Sequence, residues 1–163
     1  MKQYLIFTIT FLISSLFILN VFSQNLSLGL PEDIDGYNKW IRLNKKIIRP
    51  RAGDPHRGFK RVYVNKTKKE LVTGKKLNFP YKDGTIIVKE VREASKQNSK
   101  IVLISIMRKL PGNESTGGWD FIEYTRSSQD DSFIPLQFPQ EACYSCHQGA
   151  SNSDSVWTKF NNF

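Results

Sequence analysis

Read for the alternation of hydrophobic and polar positions, the chain opens on an uncharged apolar run over residues 4–22, preceded by Lys2. A helix is predicted to start at Leu30-Pro31-Glu32-Asp33, because proline suits a first helical turn and acids suit its positive end. Ile34, Tyr37 and Ile41 recur at helical spacing, as do Trp40, Leu43 and Ile47. The basic stretch 45–51 closes this helix and Pro50 ends it. Residues 51–58 hold a proline and two glycines and predict a loop.

Strand-like segments follow. Over residues 59–65, Phe59, Arg61 and Tyr63 fall on one face, Val62 and Val64 on the other. Residues 66–73 predict a short helix stopped by Gly74. Turn chemistry at Pro80-Tyr81-Lys82-Asp83-Gly84 leads into residues 85–92, dense in β-branched side chains. Ile101–Lys109 is apolar on both faces, the pattern of a central strand. A loop over 111–118 precedes a fourth strand, Trp119–Thr125. After a polar turn around 127–132, Pro139 opens a short helix over 140–148. No internal repeat is evident. This order predicts one α+β domain: a mainly antiparallel sheet with flanking helices, the last of them C-terminal.

The apolar run at the extreme N-terminus reads as a secretory signal spanning residues 1–23, cleaved near Ser23 or Gln24. The folded domain is then 24–163, periplasmic or secreted. A retained N-terminal membrane anchor is the alternative, since the run is long enough to span a bilayer.

Composition adds little to this and removes some classes. Of 163 residues, 39% are hydrophobic and 24% charged, which excludes disorder and a wholly membrane-embedded chain. Lys+Arg 24 against Asp+Glu 15 gives a net charge of +9. The lysines are scattered and lack the aromatic interleaving of a nucleic-acid module. The basic excess reads as a solvated surface that favours docking to an acidic, soluble redox partner.

Two cysteines exclude a disulfide-dense scaffold and a four-cysteine zinc site. They form Cys143-Tyr144-Ser145-Cys146-His147, the C-x-x-C-H attachment signature of c-type haem. Thiols at i and i+3 of a helix project to one side, where each can form a thioether with a haem vinyl group. His147 then serves as the proximal iron ligand. A thioredoxin-type dithiol lacks its βαβ context here. A zinc site and a plain disulfide both leave the histidine unexplained.

With this motif near the C-terminus and strands before it, the sequence resembles the cytochrome P460 family and its relative cytochrome c′-beta. The resemblance runs from Tyr37-Asn38-Lys39-Trp40 through Arg61-Val62-Tyr63-Val64-Asn65, the segment from Asp83 to Glu90, and Gly118-Trp119-Asp120-Phe121. It ends with the C-x-x-C-H and the segment from Asp154 to Phe160. It implies a mainly antiparallel domain, a homodimer, and a haem with one open face. In P460 enzymes, which oxidise hydroxylamine to nitric oxide or nitrous oxide, a lysine is also joined to the porphyrin edge. Cytochrome c′-beta proteins lack that cross-link and bind gases such as nitric oxide, which supplies the non-enzymatic alternative.

The resemblance puts Lys89 at the cross-linking position. Strand alternation places it on the apolar face of Ile87 and Val91, where an ammonium is costly to bury. The family's distal carboxylate falls near Ile104, which cannot take a proton. Glu90, Glu114, Asp120 and Glu123 are the candidate replacements. His56 is a candidate acid–base or distal residue, and Met107 a candidate sixth ligand. Phe59, Tyr63, Trp119 and Phe121 are candidate pocket walls.

Overall fold

The computed structural model describes residues 28–161. The expected signal segment, 1–23, lies outside the described residues. Among the described residues, no helix is long and apolar enough to cross a membrane.

Six strands form one antiparallel sheet: β1 (Ile41–Arg42), β2 (Phe59–Val64), β5 (Ile86–Arg92), β6 (Ile101–Lys109), β7 (Trp119–Thr125) and β8 (Ile134–Leu136), in that spatial order. A separate hairpin joins β3 (Val72–Thr73) to β4 (Lys76–Leu77). It leaves the short helix α1 (Lys68–Leu71), where the Thr67 backbone amide donates to the Glu70 carboxylate at 2.8 Å. The second helix, α2 (Gln140–His147), opens at Pro139 and carries the C-x-x-C-H. The α+β expectation and the four main strands agree with this architecture.

The long N-terminal helix does not form. Its place is taken by two 3-10 turns, Glu32–Ile34 and Tyr37–Lys39, followed by β1. Gly36 adopts φ 68°, a left-handed conformation that interrupts a right-handed helix. Trp40 is extended, so the chain enters β1 and pairs Ile41 with Val64. The spacing that looked helical instead buries Ile34 and Tyr37 under one face of the sheet and Leu43 under the other.

Both faces of the sheet are covered. Val62, Val64, Ile87, Met107, Trp119 and Phe121 pack on one side with Leu71, Tyr81, Val156 and Phe160. Tyr63, Val88, Ile104 and Ile106 pack on the other with Ile34, Tyr37 and Phe133. Each such aliphatic or aromatic side chain contributes roughly 1.5–3 kcal/mol of transfer free energy. This two-sided core explains why β6 reads as apolar throughout. Cys143 and Tyr144 of α2 lean on the first cluster, so the motif helix lies over the face that carries Lys89.

Candidate functional site

Register decides which side chains share that face. Val62 pairs with Lys89, Lys89 with Ser105, and Ser105 with Glu123. Directly paired residues project to the same side, so Lys89, Ser105 and Glu123 form one row across three strands. Glu90 pairs with Ile104 and faces the other way. Ile104 is completely buried in the opposite cluster and does not border Lys89. The expectation that a distal position falls near Ile104 is therefore corrected: the carboxylate on the face of Lys89 belongs to Glu123.

His56 completes the row. Its Nε2 lies 2.6 Å from Glu123 Oε1, and its Nδ1 lies 2.8 Å from Lys89 Nζ. A carboxylate only accepts, so Nε2–H of a neutral imidazole donates to Glu123. The lone pair of Nδ1 then accepts from Lys89. The loop that delivers His56 is fastened twice. The Asp54 carboxylate accepts the His56 backbone amide at 3.0 Å and the Lys60 ammonium in a short ion pair. At Gly58, with φ 136°, a Cβ would come within 2.7 Å of the Arg92 carbonyl, so only glycine lets the loop close on β5.

The electrostatics follow from this burial. Desolvation pushes the Lys89 ammonium down to about 8, against the pull of the Glu123 and Asp54 carboxylates. Burial works to raise Glu123, but the hydrogen bond from His56 and the nearby Lys89 charge hold it below the usual carboxylate range. The Cys143 thiol is raised, chiefly by burial and then by Glu123.

The motif helix presents its own chemistry. Cys143 is half-buried, Cys146 is exposed, and both thiols are free. His147 stacks at a tilt on Phe121, centroids 5.0 Å apart. Its Nδ1 lies 2.8 Å from the Ser155 carbonyl. A carbonyl only accepts, so Nδ1 carries the proton and Nε2 holds the lone pair, the tautomer a metal ligand needs. Burial pushes the imidazole down to about 4, which keeps it neutral near pH 7. Two free thiols at i and i+3, a neutral imidazole with Nε2 as its lone-pair nitrogen, and an apolar sheet face alongside fit a c-type haem.

The Ser155 carbonyl is aimed by an unusual turn. Asp154 (φ 53°) and Ser155 (φ 64°) are both left-handed, which costs roughly 1–2 kcal/mol each. Three bonds hold the turn. The Asp154 carboxylate accepts from the Tyr81 amide and from Lys109 Nζ, both at 2.8 Å, and its carbonyl accepts from Trp119 Nε1 at 2.8 Å.

Of the remaining candidates, Trp119 and Met107 lie in the apolar cluster on the site's face, and Phe121 touches His147. Tyr63 lies on the opposite face, edge-on to Tyr37 at 5.6 Å, and Phe59 shares its side by register. Glu90 is committed to Tyr37 and Arg92. Asp120 lies 3.8 Å from Arg108, which is itself held bidentately by Asp33, and Glu114 is exposed. Sequence reasoning had no signal for the His56–Glu123 contact, because 67 residues separate the two.

Compared with known proteins, residues 34–158 match the family model Cytochrome P460. No curated protein matches the chain.

Proposed function

This chain belongs to the cytochrome P460 family of haem proteins, and from that premise we propose that it is an exported monohaem cytochrome that oxidises hydroxylamine. Cys143 and Cys146 would hold the haem by thioethers, His147 would ligate its iron, and Lys89 would be joined to the porphyrin edge. Bound haem would supply an open iron site and the redox chemistry, with a soluble acidic partner as electron acceptor. The protein works as a homodimer in the periplasm or outside the cell.

One observation carries the reading: Lys89, His56 and Glu123 form a hydrogen-bonded row on the sheet face over which the C-x-x-C-H helix packs. Oxidising hydroxylamine releases protons as well as electrons, so a base must stand within hydrogen-bond reach. His56 and Glu123 supply acceptor atoms, and the His56 ring, 19% exposed, gives the proton a way to water. An apolar distal position near Ile104, unable to take a proton, would favour the gas-binding alternative. That residue belongs to the opposite face, and a carboxylate stands in the row instead.

The test is the absorption spectrum of the reduced protein, wild type and Lys89→Ala, with hydroxylamine turnover on an artificial acceptor. A strongly red-shifted Soret band that returns to the ordinary c-type position in the variant is expected, together with turnover by the wild type. A wild-type spectrum of an ordinary five-coordinate c-type haem without turnover moves the assignment to nitric oxide binding of the c′-beta kind.

A further inference from the structure

We infer that Lys89 is an activated amine nucleophile, with His56 as its general base and Glu123 as the positioning residue that fixes the imidazole tautomer. The inference rests on the proposed bond between Lys89 and the haem and says how this chain prepares it. The arrangement follows the logic of a nucleophile–imidazole–carboxylate triad. The nucleophile lies 2.8 Å from one ring nitrogen and the carboxylate 2.6 Å from the other. The carboxylate accepts from Nε2–H and so leaves the Nδ1 lone pair for Lys89.

The surroundings favour the same chemistry. Lys89 is flanked in register by Val62 and Ser105, neither of which carries a compensating charge. The charged or titratable groups around it are Glu123 on β7, Asp54 and His56 on the loop, Lys60 on β2, and Cys143 and His147 on α2. Asp54 and Lys60 satisfy each other. That leaves Glu123, through His56, as the counterpart of Lys89.

The step balances as follows. The Lys89 ammonium first gives a proton to Nδ1 of His56, and the ring passes its excess proton to solvent. The neutral amine and a porphyrin carbon then form one N–C bond while one N–H and one C–H bond break. Two protons and two electrons leave, and an oxidant of the peroxide class takes them up to become two waters. The chain's part is the first proton transfer, because an ammonium has no lone pair with which to attack.

The test uses the full chain, exported and loaded with haem, as wild type, His56→Gln, Glu123→Gln and His56→Gly. Mass spectrometry of proteolytic peptides follows the fraction of Lys89 joined to haem during timed exposure to peroxide. At pH 7 the bond is expected to form at least tenfold more slowly in His56→Gln, and more slowly in Glu123→Gln. The deficit shrinks as pH rises towards 10, where solvent frees the amine, and added imidazole restores the rate in His56→Gly. A purely structural His56 gives neither pH recovery nor imidazole rescue. Equal rates in wild type and variants overturn the inference and leave the cross-link standing. If wild type forms no bond to haem, the cross-link reading fails by itself, and the free amine is titrated with trinitrobenzenesulfonate. Lys89 is then expected to react about tenfold faster in wild type than in His56→Gln, and equal labelling overturns the inference.

Discussion

Two neighbouring residues, Lys89 and Glu90, are assigned here to opposite faces and opposite duties, and Glu90→Gln tests that division. Glu90 is 1% exposed and accepts from Tyr37 Oη at 3.0 Å and Arg92 Nε at 2.7 Å. The Arg92 guanidinium is also buried, and its NH1 donates to the carbonyls of Gln97 (2.9 Å) and Ser99 (2.7 Å). Removing one partner of a buried ion pair costs about 3–5 kcal/mol, because the other charge stays desolvated. Glutamine keeps an acceptor for Tyr37, which returns roughly 1 kcal/mol. The expected loss is therefore about 2–4 kcal/mol, a large share of the roughly 5–15 kcal/mol typical of a domain. Urea unfolding reads it as a lower midpoint at unchanged slope. A second substitution, Arg92→Met, removes the stranded charge and is expected to recover part of the loss, measured as a double-mutant cycle. The haem spectrum and hydroxylamine turnover of the folded Glu90→Gln protein are expected to match wild type. A loss below about 1 kcal/mol, or a spectral change as large as that of Glu123→Gln, would refute the assignment of faces.

Two further outcomes are expected. Asp154→Ala removes the acceptor for the Tyr81 amide and Lys109 and places alanine at φ 53°; it is expected to cost about 3 kcal/mol in urea unfolding and to shift the haem midpoint potential by loosening the Ser155 carbonyl on His147, whereas an unchanged potential argues that the turn does not aim that carbonyl. In protein whose Lys89 amine is free, the folded state holds this proton only up to about pH 8, against 10.5 for the ordinary side chain. The unfolded chain then binds more protons across that window, so stability rises with pH from about 8 to 10.5, by at most about 3 kcal/mol, and the rise is absent from Lys89→Met; parallel pH curves for the two proteins contradict the burial of this amine.

The parts of the fold legible in the sequence are those where a single period dominates. Residues 86–92 and 101–109 read as strands because β-branched density and length leave no other choice, and C-x-x-C-H reads as a helix-borne site because its spacing is itself the chemistry. The expected N-terminal helix does not form because its apolar spacing serves two short turns broken at Gly36, whose left-handed backbone no periodicity reveals. The strands of β3, β4 and β8 are two or three residues long, too short for alternation to register. The candidate site was half legible. Lys89 stood out as a charge on an apolar face, and Cys143, Cys146 and His147 as a motif. His56 could be named a candidate but not placed, since its partners Lys89 and Glu123 are 33 and 67 residues away and only the strand register brings them together.

That register is not chosen by hydrophobicity. A sheet with one buried face punishes a one-residue slip, because the slip turns its whole apolar set to water. Here both faces are buried, and a one-residue slip of β6 against β5 would exchange Ile104 and Ile106 for Ser105 and either Leu103 or Met107, so only one of the two places loses its apolar side chain. The polar side chains discriminate instead. In the observed register Lys89 meets His56 beside Glu123, while Glu90 meets Tyr37 and Arg92. A slip by one strands Glu123 from its row, at roughly 1–3 kcal/mol or more for each buried polar group left unpaired. The shift of pairing between Val91 and Arg92, which leaves Val102 as the extra residue of β6, comes beyond this row and leaves its alignment intact. The groups that specify how the central strands align are thus the same groups proposed to carry the chemistry. Substitutions in the Lys89–His56–Glu123 row should therefore be judged by rates, pH profiles and imidazole rescue, since stability alone does not separate the two roles.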